Sequence, residues 1–321
     1  MRKFIPSDFK SIGELSVCGI TSAVVAVGVF DGLHKGHRKL LTELLDLSRQ
    51  TGAEPVVMTF FPHPRQLLTD HPPKLLYPPS EKVRLLYQFG AKAVVTVDFT
   101  KEFALLSPAE FLRQSVFAGP VEIKGLCVGK HWRFGAKAAG DTDFLQRSAN
   151  ERGFLFSAVD ELCMENGQVV SSTSIRESIG KGELEKAAQM LGRNYSLFGK
   201  VEHGYQVATE KLSTPTANLK ITDGVLPPFG VYAAYVHLDE QRFPAAVNIG
   251  VSPTFRAQYG EIQPRVEIHI LNGFKESIYD RELELEMVGF VRPERTFGSP
   301  EELKKQIRED IICINRFLER G

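Results

Sequence analysis

Only four cysteines occur in 321 residues, and Cys18, Cys127, Cys163 and Cys313 show no metal-ligand or redox spacing. That argues against a disulfide framework or a cysteine-built metal centre, and the thiols read as reduced packing residues. Net charge is lacking too. Thirty-nine Lys plus Arg balance 39 Asp plus Glu, so no overall field draws the chain to nucleic acid or an anionic membrane. The longest apolar stretch, from about Ile20 to Phe30, is too short to span a bilayer and is broken by Gly28. The opening MRKFIPSDFK places Pro6, Ser7 and Asp8 where a signal peptide needs apolar residues. No repeat or low-complexity segment interrupts the chain. These absences point to a cytoplasmic protein that acts on small molecules, with no nucleic acid and no membrane partner; oligomerisation stays open. Any anion binding must be local.

What is present is enough for two domains. At 43% hydrophobic and 24% charged residues, a chain of this length can bury two cores. The stretch VVAVGVFDGLHKGHRKLLTELL, Val24 to Leu45, joins a β-branched run typical of a strand buried on both faces to a helix whose leucines recur at helical spacing from about His37. Gly28, Gly32 and Gly36 lie between. A strand, a glycine-rich turn and a helix aim backbone N–H groups and the positive end of the helix dipole into one crevice, which suits phosphate. His34 and His37 add side-chain donors at its mouth, able to stabilise charge on phosphate oxygens without acting as nucleophiles. Gly36 between them lets backbone approach a ligand closely.

Further on, PVVMTF, AVVTVD, VEIKGLCVG and FLFSAVD read as four more strands. Helical segments separate them: one capped by Ser80 and reaching Phe89, one opened by the capping box Ser107 to Glu110 and reaching about Phe117. This alternation predicts an α/β fold, a doubly wound parallel sheet of Rossmann-like type. The strand ends carry Phe61, Pro62, His63, Pro64 and the loop Lys130 to Gly135, where such sheets place ligand groups. Ser171 to Ser174 precede a short helix with Arg176 near its start, whose planar fork can clamp a polyphosphate.

From about Gly192 the pattern changes. KVEHG, VYAAYVHL, AAVNIG, RVEIHI and LELEMV alternate polar and apolar residues between turn signals, predicting a small antiparallel sheet or barrel. Ser299 to Glu302 then opens a terminal amphipathic helix with a second capping box. We place the domains at 1–187 and 188–321.

The His-x-Gly-His turn resembles the signature of the nucleotidyltransferase superfamily, and GVFDGLHKGH is similar to that of the prokaryotic bifunctional riboflavin kinase and FMN adenylyltransferase family. The resemblance continues through Pro215, Thr216, Ala217, Asn218, through Asn248, Ile249, Gly250, and through Tyr279, Asp280, Arg292, Glu294 and Phe297. It implies an N-terminal adenylyltransferase domain and a C-terminal β-barrel riboflavin kinase domain with a terminal helix. Riboflavin would become FMN and then FAD, with ATP as co-substrate and Mg²⁺ as cofactor. Gly28, Phe30, Asp31, Gly32, Gly36, Ser172 and Thr173 would then bind ATP phosphates. His34, His37 and Arg176 would be catalytic, Arg176 holding the leaving pyrophosphate. His63, Pro64, His131, Trp132, Arg133, Phe134 and Arg292 would contact the flavin, with Trp132 and Phe134 as stacking candidates or core. Thr216 and Asn218 would ligate Mg²⁺, and Glu267, on the polar face of its strand, would be the kinase's general base. One loop departs from the family: Thr209 and Glu210 stand for Gly-Arg, and Ser213 and Thr214 for Gly-Phe. The alternative is therefore an adenylyltransferase whose kinase domain binds flavin but is weak or inactive.

Overall fold

The computed structural model describes residues 9–202, 217–251, 264–271 and 278–319. The chain divides into two compact units: one ends at Ser171, and the other comprises Lys74–Pro78 with the chain from Ser172 onward. The segment from Ser172 to residue 187, placed above with the first domain, clusters by contacts with the second unit.

In the first unit the strands are β1 (Ser22–Val27), β2 (Glu54–Phe61), β3 (Ala93–Asp98), β4 (Glu122–Gly129) and β5 (Leu155–Val159). They form one parallel sheet in the order β3-β2-β1-β4-β5, as the alternation of strands and helices requires. β1 is central because it is apolar on both faces, with Ala23, Val24, Val25 and Ala26 wholly buried. The strand order reverses between β1 and β4, so the turn after β1 and the loop after β4 open at the same crevice.

The helices of this unit are α1 (Lys35–Thr51), α2 (Pro64–Leu68), α3 (Pro79–Gln88), α4 (Lys101–Ala104), α5 (Pro108–Phe111) and α6 (Thr142–Arg152). α1 packs Leu40, Leu41 and Leu44 onto the sheet and stops at Gly52, which takes the left-handed conformation at φ 68°. α3 begins one residue before Ser80, so Ser80 lies inside the helix instead of capping it. The Ser107 capping box forms as expected: Ser107 Oγ accepts from Glu110 N, and the Glu110 carboxylate accepts from Ser107 N at 2.9 Å. The helix it opens widens into a π-type turn over Leu112–Val116.

The second unit begins with α7 (Ser172–Gly180) and α8 (Leu184–Leu191) and closes β6 (Tyr195–Glu202), β7 (Ala217–Asp223), β8 (Gly230–Leu238), β9 (Gln241–Val251), β10 (Pro264–Ile270) and β11 (Glu282–Arg292) into a barrel. The order is β10-β7-β6-β11-β8-β9, and every pairing is antiparallel. Tyr195, Leu197, Tyr232, Val236 and Leu285 are wholly buried and fill its interior. β7 is not among the expected strands, although Ala217, Leu219 and Ile221 alternate with polar residues as a half-buried strand demands.

The terminal helix α9 (Pro300–Leu318) packs on β8, β9 and β11, where Ile314 joins Val231 and Ala233. Its cap is only half the expected box. Ser299 Oγ accepts from Glu302 N, but the Glu302 carboxylate accepts from Gly298 N at 3.0 Å and not from Ser299 N. Arg292 pins α9 instead: Nε and Nη2 donate to the Asp310 carboxylate at 2.8 Å each, with both side chains largely buried. Removing one member of such a pair strands a buried charge, which costs about 3 kcal/mol. We expect Asp310→Ala to lower the urea midpoint of the second unit accordingly, read by far-ultraviolet circular dichroism; an unchanged midpoint would mean the pair contributes nothing.

Candidate active site

In the first unit, Gly28 N donates to Met58 O at 3.1 Å, and the chain then turns sharply. Phe30 and Leu33 adopt left-handed conformations at φ 54° and 39°, unusual for non-glycine residues, yet both are wholly buried. A Cβ on Gly28 would stand 3.1 Å from the Phe30 ring, so a glycine there accommodates that ring. Asp31 is only 5% exposed. His34 follows as the N-cap of α1, its Nδ1 accepting from His37 N at 3.3 Å. That bond fixes Nδ1 as the bare nitrogen, so Nε2 carries the proton of neutral His34.

His37 lies parallel over His34, ring centroids 3.6 Å apart and planes 17° apart, with Phe30 at 5.3 Å. A Cβ on Gly36 would press on the His34 ring at 3.2 Å, so Gly36 is needed for this stack as well as for a ligand. Burial, then the His34 ring, then the Lys82 ammonium hold the His37 imidazolium well below its usual range, and its Nδ1 is buried without a hydrogen-bond partner. His37 is therefore neutral at pH 7.

Beside the turn, Val29 and Phe60 line a cavity of about 900 Å³ with Phe99, Phe103 and Phe111 on its walls. Of the flavin candidates, Pro64, Trp132, Arg133 and Phe134 line it as well. Trp132 and Phe134 stack on each other, centroids 4.6 Å apart, and Phe134 also belongs to the core. His63 and His131 are not among the lining residues. His63 instead caps α2, Nδ1 accepting from Arg65 N at 3.1 Å, and His131 is exposed. Ser172, Thr173 and Arg176 belong to the second unit, in the first turns of α7, and Arg176 Nε donates to Lys74 O at 2.6 Å. Arg292 is the partner of Asp310 described above.

In the second unit, antiparallel register sets Glu267 of β10 directly opposite Asn218 of β7 on one side and Asn248 of β9 on the other. All three are half-buried on the outer face, beside the patch that α9 covers. The carboxamide and carboxylate oxygens of Asn218 and Glu267 are hard donors, the kind a magnesium ion accepts in small number when phosphates complete its shell. Thr216 and the altered loop from Thr209 to Thr214 lie outside the described residues. The Glu294 carboxylate fills the space a Cβ on Gly250 would need, bringing together two of the resembling segments.

The sequence reading missed the aromatic walls and Lys82. α2 and α4 are too short for a helical pattern to show, so Leu67, Leu68 and Phe103 carried no signal. Lys82 did carry one: with Leu85, Leu86 and Phe89 it falls on one helical face at spacings of three, four and seven.

A parallel sheet with a His-x-Gly-His turn at its reversal point, and a separate barrel with a carboxylate between two carboxamides, together define a two-domain nucleotide-using transferase. The comparisons agree: residues 20–174 match the FAD synthetase family and residues 191–318 the riboflavin kinase family. The bifunctional riboflavin kinase/FMN adenylyltransferase of Escherichia coli K12 is 34% identical over 310 residues, 96% of each chain. That of Bacillus subtilis is 30% identical, over 90% of each chain. A crystal structure titled as a macrolide-efflux protein from Streptococcus pneumoniae superposes with a TM-score of 0.81 at 27% identity, over 92% of this chain and 94% of that one. The chain belongs to the bifunctional riboflavin kinase/FMN adenylyltransferase family.

Because the folded protein withholds a proton from His37, the unfolded chain takes one up first as pH falls. The stability this contributes is complete above pH 6.5, the ordinary histidine value, and declines below it by at most about 1.4 kcal/mol per pH unit. We expect the unfolding midpoint of the first unit to drop as the buffer goes from neutral toward pH 5.5, and His37→Gln to remove that part of the slope. An identical slope in the variant would contradict the assignment.

Proposed function

We infer that the protein makes FAD in two ATP-dependent steps, phosphorylating riboflavin to FMN and adenylylating FMN with release of pyrophosphate. The observation that carries this reading is the stacked His34–His37 pair at the N-terminus of α1, opening beside a large aromatic cavity. An isoalloxazine ring is flat and largely apolar, and the aromatic walls with the half-buried Trp132 suit it; Phe134 backs Trp132 from the core, and Pro64 and Arg133 border the same space.

In the adenylyl transfer, a phosphate oxygen of FMN attacks the α-phosphorus of ATP as the bond to the β-phosphate oxygen breaks. His34 Nε2–H and the neutral His37 donate to the charge that builds on the α-phosphate oxygens, and the dipole of α1 adds to them. Gly28, Phe30, Asp31, Gly32 and Gly36 shape the turn around the phosphates. We assign Ser172, Thr173 and Arg176 to the polyphosphate and its pyrophosphate product on the family resemblance. His63, His131 and Arg292 are assigned to the flavin on the family resemblance alone.

In the kinase step Glu267 takes the proton of riboflavin's primary hydroxyl as that oxygen attacks the terminal phosphorus of ATP and the bond to the β-phosphate oxygen breaks, releasing ADP. Asn218, with Thr216, would hold Mg²⁺, which when bound neutralises charge on the phosphates. We read the protein as cytoplasmic, supported by four unbonded cysteines, and among the described residues no helix is long and apolar enough to cross a membrane.

Separating the two reactions tests the assignment. With the full chain, His34→Ala or His37→Ala should slow FAD formation from FMN and ATP by on the order of a hundredfold, about 3 kcal/mol, while FMN formation from riboflavin continues. Glu267→Gln should do the reverse. Chromatography of the flavin products decides it, and near-normal adenylylation in either histidine variant would sink the role given to the pair.

A further inference from the structure

Lys82, on the sheet-facing side of α3, uses every proton of its ammonium inside the first unit. Nζ donates to Thr59 Oγ1 at 3.0 Å, Phe60 O at 3.2 Å and Val29 O at 3.3 Å. Two of these acceptors sit at the C-terminal end of β2, and the third follows β1 in the phosphate turn. Thr59 Oγ1 in turn donates to Val29 O at 3.1 Å, closing a small network across the two strand ends. A neutral amine offers only two protons, so the three-way arrangement belongs to the charged form. With its donors spent, Lys82 reaches a phosphate or an imidazole only through its field.

Two neighbours feel that field. Burial lowers the ammonium to about 8, against the opposing pull of the Asp31 carboxylate. His37, whose ring rests on His34, is kept from protonating in part by Lys82. Glu81, next to Lys82 on α3, is paired with Arg84, so Asp31, His34 and Lys82 are the groups that act at this place. An imidazolium at His37 would add a second cation where burial and the His34 ring already oppose it.

We propose that Lys82 is a positioning residue for the adenylyl transfer: a buried ammonium that ties the ends of β1 and β2 beneath the phosphate turn. The proposal rests on the adenylyltransferase reading above. It gives the crevice a fixed positive charge, held by three protein acceptors at the junction of the two strands, that substrate cannot neutralise by direct contact.

The test compares Lys82→Met with the wild type in the full-length protein, measuring kcat/KM for FAD formation from FMN at pH values from about 6 to 9. Taking the ratio of variant to wild type cancels the ionisation of ATP and FMN. Methionine fills the space without charge at every pH, while above about pH 8 the wild type loses its own ammonium. The ratio should therefore rise severalfold, up to about tenfold, from pH 7 to 9, as the wild type converges on the variant.

A merely structural lysine would lower activity by one factor at every pH, and a flat ratio overturns the proposal. Should Lys82→Met fail to fold, nitrogen-15 lysine NMR of the wild type decides: Lys82 must keep its proton at pH 7 and lose it near pH 8, and a Lys82 that titrates near the ordinary lysine value overturns the proposal. A wild type that forms no FAD at any pH overturns the adenylyltransferase reading itself, which keeps the two failures apart.

Discussion

The turn that leaves β1 is held by two buried apolar side chains in a conformation they would not choose. Phe30 and Leu33 lie in the left-handed region, where a residue with a Cβ is strained by about 1–2 kcal/mol, and both are wholly removed from water, which returns roughly 1.5–3 kcal/mol for each side chain. The balance closes only because the sheet and α1 supply a complete apolar lining. His34 follows as the N-cap of α1. The proposed phosphate site is thus anchored by hydrophobic packing.

Electrostatics then selects the protonation state of the two histidines. Two imidazoles stacked at 3.6 Å cannot both carry a proton's charge without mutual repulsion, and burial penalises even one. The buried cation near the turn is Lys82, where three oxygen acceptors solvate it. The neutral histidines are left as donors of fixed direction, which suits stabilisation of developing charge better than a mobile cation would.

The two chemistries use opposite solutions to assembling a site. In the first unit the residues that act together come largely from one continuous turn, since a parallel sheet gathers ligand groups at the C-terminal ends of its strands. In the barrel, Asn218, Asn248 and Glu267 are distant in sequence and meet because antiparallel pairing puts them in one row across three strands. The neighbouring outer surface is sealed by α9, which Arg292 and Asp310 hold in place, so the row stands at the edge of a covered patch.

By itself the sequence determined the parallel sheet, the antiparallel strands of the second unit and the His-x-Gly-His turn, because hydrophobic periodicity and glycine spacing are local properties that survive without tertiary contacts; closure of those strands into a barrel took their pairing. The runs Val24 to Val27 and Val266 to Ile270 each show their pattern within a few residues. Tertiary structure alone decided that Arg292 serves Asp310, that His63 caps a helix, and that Phe60, Phe99, Phe103 and Phe111 face one cavity. It also decided that Lys82 is buried. A lysine in a first helical turn is ordinarily solvated, and only the convergence of two strand ends, fixed by register between segments far apart in the chain, provides the acceptors that let its charge remain inside.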